Sequence, residues 1–262
     1  MTPVKVGELE AQLAQRAPRC SICTLVTDDA VYRRMCESYV QAGFDDAVAE
    51  YLYVDNCAQD TDDAYSGITR FLALARGRYV IVCHQDVLLT HDRIEQLDAR
   101  INEVSSVDPH WALLGNAGGT ARSELVMRIS DPHGADVRRG TFPAKVRSLD
   151  ENFLLIRRDA SLGVSRDLQG FHFYGLDLCV LAAMRGYSAY VVDFHLTHLS
   201  AGKVGPDFDA RRRVLIEKYR RDLPGGFYQT TCARLFLTGS RLWSWLLNLK
   251  PMLSVARALG KL

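Results

Sequence analysis

The chain has 262 residues, 48% of them apolar and 24% charged, with 19 glycines and 8 prolines, a globular mixture long enough to bury a core without staples. These figures exclude a disulfide-framed miniprotein, a collagen-like repeat and a disordered linker. The formal charge of +1 argues against a nucleic-acid partner held by a global basic field, yet it hides a split: residues 210–262 hold eleven Lys or Arg against two Asp or Glu.

Met1 to Arg16 lacks the apolar core of a signal peptide, and residues 1–19 are read as an N-terminal helical segment. No stretch reaches the roughly 18 apolar residues of a spanning helix. Seven cysteines, an odd number scattered through strand-like and helix-like interiors, predict reduced thiols and a cytoplasmic location. Cys20 and Cys23 form a C-x-x-C without the second ligand pair that structural zinc requires.

Ile22–Thr27, Tyr51–Asp55 and Tyr79–Cys83 are short runs rich in β-branched and aromatic residues and read as strands. Val26, Val54 and Val82 recur at intervals of 28 residues, and the intervals carry helical patterns at Ala30–Ala42 and Asp62–Arg76. Strand, helix, strand at that spacing is the unit of a parallel sheet. The second helix has capping acids from Asp60 to Asp63 and a basic, glycine-terminated end at Arg76-Gly77. A helix over Asp92–Val104 and a strand over Trp111–Leu114 follow.

Residues 115–147 show no clear period and are read as a loop over the functional site. Then come a strand at Glu151–Arg157, a helix at Leu176–Met184, a strand at Ala189–His198 and a basic helix at Phe208–Arg221. Pro224-Gly225-Gly226 marks a boundary. Beyond it, apolar residues at spacings of three, four and seven predict an amphipathic helix from about Thr231 to Leu249.

In open parallel sheets ligands bind beyond the carboxyl ends of the strands. Asp28, Asp55 and Asp86 lie at the first three such ends, although an Asp there is often only a turn or cap residue. Neither a P-loop nor a dinucleotide glycine fingerprint is present, which leaves a divalent metal as the usual means of neutralising phosphate charge.

Tyr79-Val-Ile-Val-Cys-His84-Gln85-Asp86-Val87 resembles the D-x-D strand of glycosyltransferases with the GT-A fold, in a family-two-like branch where H-Q-D-V replaces the acid pair. The likeness extends to Val54-Asp55-Asn56, to Ala75-Arg-Gly-Arg-Tyr79, to the Gly170–Cys179 segment and to His195-Leu-Thr-His198-Leu-Ser-Ala-Gly202, covering roughly residues 20–205. It implies an α/β domain over residues 20–222 with a mixed, mostly parallel sheet flanked by helices, followed by a basic helical extension over residues 223–262.

The resemblance also implies transfer of a sugar from a nucleotide-sugar donor to a hydroxyl of a glycan or lipid-linked acceptor, with Mn²⁺ or Mg²⁺ and with inversion. On that reading Asp86 and His198 hold the metal. Thr27, Asp28, Asp55, Asn56, His84 and Lys203 contact the nucleotide-sugar, His84 being also a possible metal ligand. Asp177 is the general base, with His172 the fallback; Tyr174 and Gly175 stand where the family carries an acidic pair. His195, an odd offset from His198, reads as a packed histidine. The C-terminal helix packs on the domain or on a second copy of the chain, or lies peripherally on an anionic inner membrane face through Trp243 and Trp245. Two alternatives remain: a nucleotidyltransferase, which expects glycine after the first strand where this chain has Thr27-Asp28-Asp29-Ala30, and a non-catalytic module that binds nucleotide-sugars.

Overall fold

The computed structural model describes residues 17–59, 61–202, 205–220 and 225–260. Residues 1–16 of the N-terminal helical segment expected over residues 1–19 lie outside them, as does Lys203.

The strands are β1 (Cys20–Val26), β2 (Ala49–Asp55), β3 (Tyr79–Cys83), β4 (Val87–Leu88), β5 (Trp111–Gly115), β6 (Ala117–Thr120), β7 (Leu125–Asp131), β8 (Gly134–Arg139), β9 (Ala144–Leu149), β10 (Phe153–Arg157), β11 (Ser188–Val191) and β12 (Leu196–His198). They form one sheet in the order β2-β1-β3-β10-β5-β11-β9-β6-β7-β12-β4, with β8 paired to β7. Within its first six strands β2, β1, β3, β5 and β11 share one direction and β10 alone opposes them. This is the expected mixed α/β sheet.

Helices cover both faces. α1 (Asp29–Gln41) and α3 (Ile94–Val107) bury Met35, Tyr39, Leu97 and Ile101 against Ile22 and Val26. α2 (Ala64–Leu74) and α4 (Tyr174–Met184) bury Ile68, Phe71, Leu176 and Leu178 against the opposite face, to which Cys23 also belongs. Alternate residues of one strand thus feed two cores, as the period of two requires. α1 is capped by Asp28, whose carboxylate accepts from the N–H groups of Ala30 and Val31 at 2.9 and 3.1 Å. α2 is capped by Asp63, which accepts from Ser66 N at 2.8 Å and also from Gly170 N at 2.6 Å. No helix among the described residues is long and apolar enough to cross a membrane.

Two expectations are corrected. Residues 115–147 are not an irregular loop: β6 to β9 form an antiparallel excursion whose wall reaches the functional site. The pattern of Leu125–Asp131 is only partly alternating, and glycines occupy the middle of β6, so the signal for strand was weak. Nor is Thr231–Leu249 one helix. A hairpin of β13 (Gly226–Gln229) and β14 (Arg234–Leu237) is followed by α6 (Arg241–Leu247) and α7 (Lys250–Ala258). Leu235 and Leu237 are both wholly buried, a spacing of two that strand satisfies and helix does not. The basic helix before it is α5 (Pro206–Tyr219).

The hairpin is joined to the sheet at a glycine. Ser148 Oγ donates to the carbonyl oxygen of Gln229 at 2.5 Å, and a Cβ on Gly119 would collide with that same carbonyl. Gly119→Ala is therefore expected to force the hairpin off β6 and to cost about 2 kcal/mol or more. Urea unfolding of the variant against the parent chain measures this.

Candidate functional site

β3 is buried along its whole length, so the chain leaves the core only at His84, beyond the carboxyl end of the strand. A turn closed by Val87 N to His84 O at 3.2 Å passes Asp86 and enters β4. β4 is two residues long and pairs antiparallel with β12, setting Val87 opposite His198. Leu199 N donates to Asp86 O at 3.0 Å and completes the clasp. Residues more than a hundred positions apart are thereby held side by side.

His84, Asp86 and His198 each offer a ligand atom, and all three atoms lie within 4.8 Å of one another. His198 Nε2 is 3.3 Å from Asp86 Oδ1, 3.4 Å from His84 Nδ1 and 3.1 Å from Ser200 Oγ. Burial alone would raise the Asp86 pKa, but the hydrogen bond and charge of His198, with help from Ser200 and His84, bring it down to about 2. Burial, and then the neighbouring His198, hold the His84 imidazole below its ordinary value and favour its neutral form.

The tautomer of His84 follows from its second partner. The Tyr174 hydroxyl donates to the Glu151 carbonyl at 3.1 Å and stands 3.0 Å from His84 Nε2. It can then only accept from Nε2–H, which leaves the Nδ1 lone pair facing His198 and Asp86. One carboxylate and two imidazoles within mutual reach suit a divalent cation of the first transition row, with Mn²⁺ a better match than the harder Mg²⁺.

Gln85 points the other way and ties this edge together. Its Oε1 accepts from Thr27 N at 2.8 Å and Asp28 N at 3.0 Å, and its Nε2 donates to Thr27 Oγ1 at 2.8 Å. Asp28 spends its carboxylate on the cap of α1. Asn56 is buried and fully engaged, accepting from Thr61 N and Asp62 N and donating to Asp62 O at 2.8 Å. Asn56 is thereby committed to the loop that follows β2, whereas Asp28 is exposed and caps α1 through Oδ1. Asp55 remains exposed at the end of β2; its carboxylate accepts from Cys57 N at 2.9 Å and its carbonyl from Thr61 Oγ1 at 2.8 Å.

Beside the triad opens a cleft of about 390 Å³. His84, His198 and Ser200 form one wall, Asp150, Glu151 and Asn152 another, and Met127 and Ile129 from β7 a third. Asp177 is absent from it. That carboxylate is completely buried and accepts from Ser165 N and Ser165 Oγ, each at 2.7 Å, and from the Tyr219 hydroxyl. The expected general base is thus corrected to a structural post that fastens α4 to α5 and to the loop at Ser165. His195 is likewise packed, stacked on His91 with ring centroids 3.7 Å apart and bonded to Ser130 Oγ at 2.9 Å.

Glu151 does face the cleft, with Asp131 and Asp150, and sequence reasoning missed it. It leaves the end of β9 and accepts from Gly175 N at 3.2 Å at the start of α4, beside the positions where the resemblance called for an acidic pair. Burial, and then the adjacent Asp150, push its pKa up to about 8, against the pull of the N–H groups at residues 173–175. The only available signal was the acidic pair Asp150-Glu151 before a strand.

A protein from Fuscovulum blasticum named "ATP synthase subunits region ORF 6" is 40% identical over 225 residues, spanning 84% of this chain and 90% of the relative. The chain belongs to that protein's family. The family's printed name states no activity, and no family model matches the chain.

Solved structures share the fold at low identity. Staphylococcus aureus TarS matches at 13% identity and a TM-score of 0.51 over 79% of this chain, which spans 40% of TarS. A mycobacterial protein matches at 14% and 0.51 over 91% of this chain and 89% of its own. GalNAc-T7, solved with UDP, GalNAc and Mn²⁺, matches at 9% and 0.52 over 79% of this chain and 49% of its own. The fold is that of GT-A glycosyltransferases.

Two outcomes are expected. Asp177→Asn should destabilise the chain by about 2–4 kcal/mol, because donors buried around the carboxylate lose their charged acceptor. Urea unfolding of the variant against the parent chain measures the loss. Glu151 holds its proton more tightly when folded than the ordinary carboxyl value of 4.5 allows, so its contribution is complete below that value and fades as pH rises through about 8. Glu151→Gln should flatten this fall, as melting temperatures measured across that range will read.

Proposed function

We propose that the protein is a metal-dependent glycosyltransferase that moves a sugar from a nucleotide-sugar donor to a hydroxyl of a glycan or lipid-linked acceptor, with inversion. The observation that carries the reading is the set of His84, Asp86 and His198 at the carboxyl end of β3, in a GT-A fold and beside a cleft with its own acid. The bound UDP and Mn²⁺ of GalNAc-T7 support the donor and metal classes.

On this reading Asp86, His198 and His84 Nδ1 hold the cation, with Tyr174 fixing the His84 ring. A cation bound there supplies positive charge against the leaving nucleoside diphosphate. Asp55 and Thr27, at the neighbouring strand ends, flank the nucleoside. Glu151 in its ionised form accepts the proton of the acceptor hydroxyl as that oxygen bonds to the anomeric carbon and the bond to the diphosphate breaks. A base with its pKa close to the working pH suits that role. A single displacement of this kind inverts the anomeric centre.

The C-terminal unit supports peripheral contact with an anionic membrane. Leu242, Trp243 and Trp245 are exposed on α6, and its neighbourhood carries Arg241, Lys250 and Arg257 without an acidic residue beyond position 222.

Thermal shift with a panel of nucleotide-sugars, with and without Mn²⁺, tests the central reading. The parent chain should be stabilised by one diphosphate-sugar only when Mn²⁺ is present, and Asp86→Asn or His198→Ala should lose this together with on the order of 100-fold or more in transfer rate. Preference for a nucleoside triphosphate would favour a nucleotidyltransferase, and binding without turnover a non-catalytic module.

A further inference from the structure

A second cleft, of about 520 Å³, lies next to the first, and Phe208, Thr231 and Cys232 line both. Its charge is one-sided. Arg139 from β8, Arg212 from α5, Arg234 from β14, and Lys250 and Arg257 from α7 line it, with Asp209 the carboxylate among its lining residues. Among the described residues none of these five cations forms an ion pair with a carboxylate, whereas Arg211, one position from Arg212, does pair with Asp207.

Five cations from four separate elements do not converge in this way through the periodicity of one helix, and their mutual repulsion is an energetic cost that a bound anion relieves. Arg212 is half-buried, and its guanidinium is steered by the Arg234 carbonyl and by Asn248 Oδ1 at 3.5 Å. Burial also lowers its pKa, the mark of a cation whose solvation has not been replaced. Guanidinium forks match phosphate oxygens in pairs. They match carboxylates as well, but a phosphate brings the larger negative charge to five convergent cations.

We propose that this basic cleft binds a phosphate group of the acceptor, so that the molecule receiving the sugar is a phosphate ester whose hydroxyl reaches past Thr231 and Cys232 to Glu151. The proposal rests on the transferase reading for the word acceptor, but the binding site itself does not. The donor diphosphate belongs to the other cleft, beside Asp86.

Glycerol phosphate and glycerol, titrated calorimetrically into the full chain in EDTA, are the soluble probes. Vesicles of phosphatidylcholine with and without phosphatidic acid carry the same phosphate on a lipid. Glycerol phosphate or the phosphatidic acid vesicles should bind where glycerol and phosphatidylcholine do not, the arm that responds telling a soluble from a lipid-borne ester. Arg139→Gln and Arg257→Gln, both exposed side chains, should each weaken that binding by on the order of tenfold. Asp209→Asn should tighten it, a change that misfolding cannot mimic. Variants that bind as the parent does, or displacement of the phosphate probe by UDP with Mn²⁺, would overturn the proposal. Phosphate binding that survives while Asp86→Asn leaves donor binding untouched would sink the transferase reading alone.

Discussion

The short pairing of β4 with β12 is the constraint on which the site depends. Two residues of strand set His198 opposite Val87, and the Leu199 N–H to Asp86 carbonyl bond fixes the register. A slip by one residue would turn His198 to the other face and scatter the three ligand atoms. So brief a ladder is stable only because its ends are buried. Val87, Leu88 and Leu196 belong to the core on the α1 and α3 side of the sheet, which also contains Ile22 and Val26 of β1 and Ile81 of β3. The core thus supplies the energy and the clasp supplies the geometry.

Electrostatics then divides the acids by surroundings rather than by type. Asp86 is buried next to two imidazoles and stays ionised. Glu151 is buried next to another carboxylate and holds its proton up to about 8. Asp177, buried deepest, is committed to Ser165 and Tyr219. The same chemical group behaves differently at each place because its partners differ: imidazoles, a second carboxylate, or hydroxyl and N–H donors.

The C-terminal unit extends this arrangement. By seating Gln229 over Gly119 and bonding Thr231 to Asp150 at 2.6 Å, the hairpin becomes the partition between the acidic cleft and the basic one. Two clefts of opposite character that share a wall form a natural path for a bifunctional molecule, one end held by charge and the other presented to Glu151.

Much of this was legible along the chain. The 28-residue spacing of Val26, Val54 and Val82 specified parallel strands with intervening helices, since local propensity and periodicity act within a few residues. The H-Q-D-V segment marked the strand end from which Asp86 emerges. What the tertiary structure alone decided were the pairings of distant segments: that His198 stands beside His84 and Asp86, that Glu151 rather than Asp177 faces the cleft, and that Leu235 and Leu237 are buried as strand residues. Each of these is settled by which buried partner satisfies a polar atom or fills a space. Such partners lie from 24 residues away, as Gly175 does from Glu151, to 114, as His198 does from His84, where no local pattern records them.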